Sequence, residues 1–477
     1  MKHKKQIRAF CLLMLCAMLT GVLQPAMADV KATRILKEME ILTQIPATNL
    51  LIAQESQNHK WGVYDTDANV VIPLENEKLQ FLAYGCLSAA SLPEQTYNEH
   101  KKIPLEEINC HALMTLDGTL LTEYAYGVLK VYSPQWMVGW VLEEGTKADN
   151  DYTPDKEHYF KIEHCDVLYR GADSAEMEEN TLTVIASLTR DEFKDAKAHG
   201  DYLTVQSRDS AFTVYDKNAQ TIDIGAKNLN SSPYGIKNWM LVNLATGEMV
   251  MDGCSQVSEA QTEDGLLLIA TRIDFQGRKN TTLITPKGET VIPMCNGVIS
   301  SVSRDYAIIT SNDNGKKGLY SCRDKRMLLA CDFDDILENK TAIDRFIGHG
   351  YAVVKKDDQF FCYDVEKQQL LPVPELETES TIQHYGPAFY TTNSAGKTTT
   401  TQLIAPDGKV KSILASITKS RGSGYLLVAE FASESAAINW YGNNYLPSYY
   451  SRVIITDDDN IILNTNKGGY ELWKIPE

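Results

Sequence analysis

Apolar residues in this chain fall into short runs, continuous or alternating, that are closed every few positions by Asp, Asn, Gly, Lys or Pro. Runs of that length between turn residues form strands, not helices. The clearest case is Lys60 to Pro73, KWGVYDTDANVVIP. Trp61, Val63 and Tyr64 are bulky β-formers, Asp65 to Asn69 is a turn cluster, and Val70 to Ile72 is a second apolar run stopped by Pro73, which together predict a β-hairpin. Gly62 inside the first strand predicts a close approach by an indole or a neighbouring backbone.

Weaker copies follow almost to the C-terminus, each a turn leading into an apolar run: Leu116-Asp117-Gly118, Asp216-Lys217-Asn218, Thr246-Gly247, Lys287-Gly288, Asp324-Lys325, Glu366-Lys367, Asp407-Gly408 and Asp457 to Asn460. Counted over Gly247, Gly288, Asp324, Lys367 and Gly408, the intervals are 41, 36, 43 and 41 residues. One unit, Gly350 to Pro374, resolves into strands at Tyr351 to Lys355, Phe360 to Asp364 and Gln369 to Val373, with a weaker run at Thr381 to His384. Four short strands in about forty residues make a propeller blade. The prediction is an all-β, propeller-like array of about seven blades over 48–477. The C-terminal strand Tyr470 to Ile475 is expected to pair with the first repeat and so close the ring. Two smaller arrays divided near 170–180 are the alternative.

Lys60-Trp61-Gly62-Val63-Tyr64-Asp65 with Val71-Ile72-Pro73, and again Lys317-Gly318-Leu319-Tyr320 with Asp332 to Ile336, resemble the WG-containing β-repeats of bacterial secreted and surface proteins. Only the first copy keeps the Trp-Gly pair. The resemblance implies a repetitive β scaffold with a binding role and transfers no catalytic residue, because the motif contains none.

Two helices are expected outside the repeat rhythm. Ile35, Leu36, Met39, Leu42 and Ile45 have helical spacing before Pro46, which predicts a short amphipathic helix within 29–47. Thr189 and Glu192 read as a capping box, with Gly200 as the stop, for a helical insertion at Thr189 to His199. Ser91 to Asn109 and Ser433 to Arg452 are further insertions.

The first residues have an export pattern: Lys2, Lys4, Lys5 and Arg8, an apolar stretch from Ala9 to Val22, then Ala26-Met27-Ala28. This predicts a signal peptide over 1–28, cleaved after Ala28, and a secreted or cell-surface protein with no later transmembrane segment. Cleavage removes four positive charges, so the formal charge moves from -17 to -21 (-17 minus 4). An acidic chain without a dense Lys/Arg cluster repels phosphate backbones, which excludes nucleic acid as the expected partner. Eight cysteines remain after Cys11 and Cys16, and their pairing cannot be read from spacing. Cys254, Cys295 and Cys331 each follow a repeat turn by seven residues and read as one buried-thiol position used three times.

Candidate chemistry is sparse. The run INWYGNNYLPSYYSR places Trp440, Tyr441, Tyr445, Tyr449 and Tyr450 beside Asn439, Asn443 and Asn444, flat apolar faces with amide groups that suit a sugar ring or an extended peptide. A second aromatic group, Tyr124, Tyr126, Tyr132, Trp136 and Trp140, alternates as a buried strand face does. Asp65, Asp67 and Asn69 imitate a calcium loop but lack its glycine and its final carboxylate, so they read as a turn. Gly396-Lys397-Thr398 lacks the rest of a phosphate loop. Cys110-His111 and His164-Cys165 lack zinc spacing. No metal, cofactor or catalytic residue is assigned. The expectation is a non-enzymatic binding scaffold for a glycan, peptide or envelope partner; the alternative is a carbohydrate-active hydrolase using the propeller channel.

Overall fold

The computed structural model describes residues 32–474 except 37, 47, 93–108, 144–160, 172–181, 263–264, 304, 338–350, 366, 375, 377–381, 386–387, 396–397, 406, 414, 420–425, 432–433, 440–451, 456–459 and 465–468. Every regular element among the described residues is a strand. The strands form eleven sheets, eight of four strands and three of three. In chain order, sheet 1 spans 39–76, sheet 2 78–115, sheet 3 128–189, sheet 4 195–222, sheet 5 234–252 and sheet 6 256–295. Sheets 7 to 10 span 297–333, 335–372, 383–413 and 416–439, and sheet 11 spans 452–474.

Within each sheet consecutive strands pair antiparallel as a meander. Burial is graded across it. In sheet 1 the strands Leu50–Glu55 and Trp61–Asp65 bury Leu51, Ala53 and Val63 completely, whereas the fourth strand, Val70–Asn76, keeps Val70 exposed. First strands of neighbouring sheets approach one another, as Lys78–Ala83 does Val128–Val131 and Gln383–Tyr385 does Ser416–Lys419, which puts them on the inner side of the array.

No sheet shelters its own apolar faces; successive sheets share cores. Val63 and Ile72 of sheet 1 pack with Leu79, Leu87 and Met114 of sheet 2. Trp136, Val138 and Trp140 of sheet 3 pack with Leu203 and Val205 of sheet 4. Leu283 and Ile292 of sheet 6 join Ile299 and Ile309 of sheet 7. Leu42, Leu51 and Tyr64 of sheet 1 pack with Ile462, Tyr470 and Leu472 of sheet 11, so the array returns on itself.

Closure is made by the N-terminal strand. Tyr470–Lys474 pairs with Asn460–Asn464 on one edge and with Ala32–Leu36 on the other, so residues 32–36 supply the outermost strand of sheet 11. The expected closing strand is therefore right, and its partner lies just before sheet 1. The division near 170–180 is not present: Lys161–Arg170 and Leu182–Thr189, on either side of it, are neighbours in sheet 3.

The count of eleven exceeds the seven or so expected. The clear copies set that lower number, yet 416 residues from Thr48 to Leu463 at intervals of 41 already hold about ten units (416/41). The repeat position itself is sharper than the turn sequences show. Ala68, Ala219, Gly247, Gly288, Lys325, Gln368 and Gly408 all have positive φ just before the outer strand, and Gly118 has it just after the last strand of sheet 2. The shared site is thus Lys325 and Gln368, one residue after the Asp324 and Lys367 chosen from sequence. In most of them the amide of this residue donates to the carbonyl three back, as Gly288 does to Thr285 (2.9 Å) and Gly408 to Ala405 (2.9 Å), a three-residue hairpin loop ending in a bulge. A Cβ on Gly408 would lie 2.4 Å from Pro372 O of the preceding sheet, so this turn is also where one sheet presses on the last. Gly62 fulfils its expectation in the backbone form: a Cβ there would stand 2.5 Å from Ile72 O, where the outer strand bulges over it.

Both expected helices are strands. Ala32–Leu36 and Met39–Gln44 replace the N-terminal helix, with Glu38 at positive φ between them. Thr33, Ile35, Ile41 and Thr43 are β-branched, and pairing with sheets 11 and 1 outweighs a spacing that also suits a helix. At Thr189 to His199 only half of the capping box forms, Glu192 Oε2 accepting from Thr189 N (2.8 Å); Thr189 Oγ1 donates to the same oxygen (2.7 Å), Glu192 N donates to Thr189 O (3.0 Å), and the bonds close a turn. Burial of Phe193 and Ala196 between sheets 3 and 4 pulls the chain into the strand Asp195–His199, and Gly200 turns it back.

Candidate functional site

The aromatic run Trp440, Tyr441, Asn443, Asn444, Tyr445, Tyr449 and Tyr450 lies outside the described residues, as do Asp457 to Asp459 and Gly396-Lys397. The second aromatic group is core, as its alternation predicts. Trp136 and Trp140 are buried, the first edge-on to Tyr169 (4.8 Å between centroids), the second edge-on to Phe193 (5.5 Å).

That group also walls a cleft of about 540 Å³ between sheets 3 and 4. Tyr132, Trp140, Ile162 and Phe193 form its apolar side. Lys130, Lys194, Asp195, Gln206 and Arg208 supply its polar groups. Strand geometry explains the mixture. Trp140 points from the second strand of sheet 3 toward sheet 4, while Gln206 ends the second strand of sheet 4 and Arg208 begins the turn beyond it. Lys130 Nζ sits 4.4 Å from the centre of the Tyr132 ring and 3.9 Å from Asp195, a loose and largely exposed pair that contributes little to stability. Burial, with Asp195 and Cys165 adding to it, pushes the Tyr132 hydroxyl well above the usual phenol range, so it stays a hydrogen-bond donor.

A larger cleft of about 690 Å³ lies where first-to-second-strand turns (Gln135, Gly200, Asp305) meet third-to-fourth-strand turns (Pro286, Arg323). Asp201, Lys287 and Glu289 line it, and Asp305 is held by Arg323 at 2.9 Å. On the other side of the array, hairpin tips in adjacent sheets expose Trp239 (68%) and Phe275 (95%). Trp239 has φ 64, a left-handed conformation that a bulky residue seldom adopts. Neither tip was singled out by sequence, because single aromatics in polar turns carry no periodic signal.

The buried titratable groups are bound into the scaffold. His199, fully buried, has Nδ1 2.7 Å from Glu259 Oε2 and Nε2 2.9 Å from Leu229 O, and Ser232 Oγ donates to the other Glu259 oxygen (2.6 Å). Serine contacts the acid and not the imidazole, so this is no nucleophile and base pair. Asp166 likewise accepts from Tyr126 (3.1 Å) and Ser187 (2.6 Å). Asp65, the imitation calcium ligand, accepts from the amides of Asp67 (2.9 Å) and Asn69 (2.7 Å), as a turn aspartate does. No group of three metal-ligating side chains occurs among the described residues.

All eight described cysteines are free. Cys254, Cys295 and Cys331 are thiols directed at backbone carbonyls, Cys295 at Thr281 O (3.2 Å) and Cys331 at Ile309 O (3.5 Å); Cys254 is buried and the other two partly so. Burial pushes the Cys165 and Cys362 thiols up to about 12 and Cys322 to about 11, from an ordinary value of 9.0. Folded values above unfolded ones give a stability term that is complete below pH 9 and is lost as pH climbs toward 11 to 12, because the unfolded thiols ionise first. Urea midpoints should therefore be level from pH 7 to 8.5 and fall above about pH 9; a midpoint that rises across pH 9 to 10 would contradict the burial of these thiols.

No family model matches the chain, and no curated protein does. Solved structures that overlay on it do so loosely. The crystal structure of a eukaryotic initiation factor has 10% identity and a TM-score of 0.30, covering 80% of this chain and 89% of its own. The WD40 domain of SCAP from fission yeast has 7% identity and a TM-score of 0.26 over 93% and 97%. BamB from Moraxella catarrhalis has 11% identity and a TM-score of 0.20 over 62% and 87%. At these scores the likeness carries no argument, and the propeller-like description rests on the chain's own strand order and ring closure.

Proposed function

We propose that the chain is an exported, non-enzymatic binding scaffold of WG-like β-repeats whose clefts and loops engage a glycan, peptide or envelope partner. One contrast supports this reading: His199, Glu259 and Asp166 are tied into the fold's own hydrogen bonds, whereas the cleft between sheets 3 and 4 is open and sets the polar side chains of Lys194 and Gln206 beside an apolar wall. Groups already bonded inside the scaffold hold sheets together; groups left for a ligand recognise one. The signal-like N-terminus and the equivalent placement of Gly62 and Gly318 beneath outer-strand carbonyls support export and the WG-like repeat. The hydrolase reading rests on Asp201, Glu289 and Asp305 in the larger cleft.

Paired glycan and peptide arrays, with reducing-end release measured on the same polysaccharides, separate the two. Saturable binding without release is expected; release of reducing ends that is lost on Asp201→Asn or Glu289→Gln would replace the scaffold with an enzyme. Binding unchanged in Trp440→Ala and Tyr445→Ala would remove the 433–452 insertion as its site.

A further inference from the structure

We propose that the hairpin tips of sheets 5 and 6 dock the protein on the surface of an anionic bilayer, Trp239 and Phe275 entering the boundary between acyl chains and headgroups while Lys237 and Lys279 meet the phosphates. This rests on the scaffold reading above and deepens it, naming one envelope partner and the face that meets it.

Position is the first argument. Phe275 (95%) and Trp239 (68%) are the two most exposed large apolar side chains among the described residues. Each stands at the tip between the second and third strands of its sheet. The matching tips of sheets 1, 4, 7 and 8 carry Gln57-Asn58, Arg208-Asp209, Asp313-Asn314 and Asp357-Asp358. The two aromatic tips are next to each other, on one side of the array, and Ile273 (38% exposed) adds apolar surface beside Phe275. Adjacent exposed apolar groups rimmed by polar ones mark a surface that meets something other than water.

Conformation is the second. Lys237 pairs with Met240 around a two-residue turn with φ 53 at Asn238 and 64 at Trp239, a pattern whose second central place favours glycine. A left-handed tryptophan with most of its ring in water works against this turn and adds nothing to the core, so the fold gives no reason for it. Phe275 rides on a turn fixed by Asp274, whose carboxylate accepts from Gln276 N (2.8 Å) and Arg278 N (2.9 Å). The two tips are also braced together. Cys254 N donates to Trp239 O (2.7 Å), and Arg272 Nε donates to Gly253 O (2.9 Å), one residue away.

Charge selects the partner. Arg278 is paired with Asp274 (2.9 Å), and Arg272 is held on the carbonyls of Gly253 and Asp252. Lys237 and Lys279, one beside each tip, are exposed and have no acidic partner among the described residues. An aromatic ring beside a free lysine suits a membrane interface, where the ring takes the apolar boundary and the ammonium stays with the phosphates. The chain's formal -17 does not oppose this, because charges beyond about 8 Å are largely screened at physiological ionic strength. Convex tips also fit a bilayer, which yields around each ring, better than a folded partner, which must supply a pocket for each.

The test is co-sedimentation of the exported chain, which begins at Asp29 and keeps every described strand, with vesicles of phosphatidylcholine and phosphatidylglycerol and with vesicles of phosphatidylcholine alone. Uptake by the mixed vesicles is expected to be at least about tenfold stronger, the scale of two lysines at an anionic surface, and to weaken as salt is raised. Lys237→Glu with Lys279→Glu should abolish that preference. Trp239→Gly and Phe275→Ser should each lower uptake about tenfold, the scale of withdrawing one apolar side chain from water, and Trp239→Gly should reduce quenching of indole emission by brominated acyl chains. Because glycine relieves the turn, the urea midpoint of Trp239→Gly should equal or exceed that of the unchanged chain, which separates lost binding from lost fold. No uptake, equal uptake on neutral vesicles, uptake unchanged in both aromatic variants, or aromatics needed only for a dimer seen by sedimentation velocity would overturn the proposal. Vesicle failure beside filled glycan or peptide arrays would do so while leaving the scaffold reading standing, and failure of vesicles and arrays together would remove both.

Discussion

Trp136→Ala is expected to destabilise the protein by about 3 to 5 kcal/mol, the usual cost of removing a fully buried indole. Trp136 is 0% exposed and performs two tasks that alanine cannot. Its ring fills the core between sheets 3 and 4 against Tyr169, and its N–H reaches Gly200 O at the turn of sheet 4 (3.0 Å). Trp136→Phe separates the tasks, since it retains most of the apolar volume and loses only the hydrogen bond, for about 1 kcal/mol. Urea unfolding followed by circular dichroism reads both. A Trp136→Ala midpoint equal to that of the unchanged chain would mean that sheets 3 and 4 do not pack as described.

The same strand shows what sequence could and could not reveal. Alternating Trp136, Val138 and Trp140 announced one buried face, but Met137 and Gly139 are also covered, the latter by the Tyr126 ring, because a middle strand in a ring of sheets has a neighbour on each side. The hairpins read at Asp65 and Asp216 were legible because turn chemistry is local: the Asp that accepts from amides two and four residues on needs no tertiary partner. The two misassigned helices fail for the opposite reason. Thr189 and Glu192 do bond to each other, yet the path of the chain beyond them is decided by where Phe193 finds a core, which no window of sequence contains. The cleft was hidden likewise. Lys130, Lys194 and Arg208 lie on two sheets and become neighbours only when those sheets are set side by side.

Glu259→Ala should cost about 1 to 3 kcal/mol, because it leaves the His199 ring buried against an unanswered nitrogen. Sheet 5 explains why the pair is there. Its three strands match the second, third and fourth of other sheets, since Gly247 occupies the shared positive-φ turn before its last strand, and the place of a first strand is taken by the irregular segment 223–233. Backbone groups of such a segment have no ladder to join and need other partners. His199, at the end of the first strand of sheet 4, and Glu259, in the first strand of sheet 6, meet across it at 2.7 Å. From that bridge His199 Nε2 holds Leu229 O (2.9 Å) and Glu259 holds Ser232 Oγ (2.6 Å), so one hydrogen-bonded pair spans the missing strand and pins its replacement at two points. Ser232→Ala should therefore cost only about 1 kcal/mol, and the paired change His199→Leu with Glu259→Met should recover much of the stability lost by Glu259→Ala, since apolar groups of similar size need no partner. Limited proteolysis provides the second reading: Glu259→Ala opens cleavage within 223–233 before the rest of the chain unfolds, and resistance there equal to that of the unchanged protein would show that the segment is held by something other than this pair.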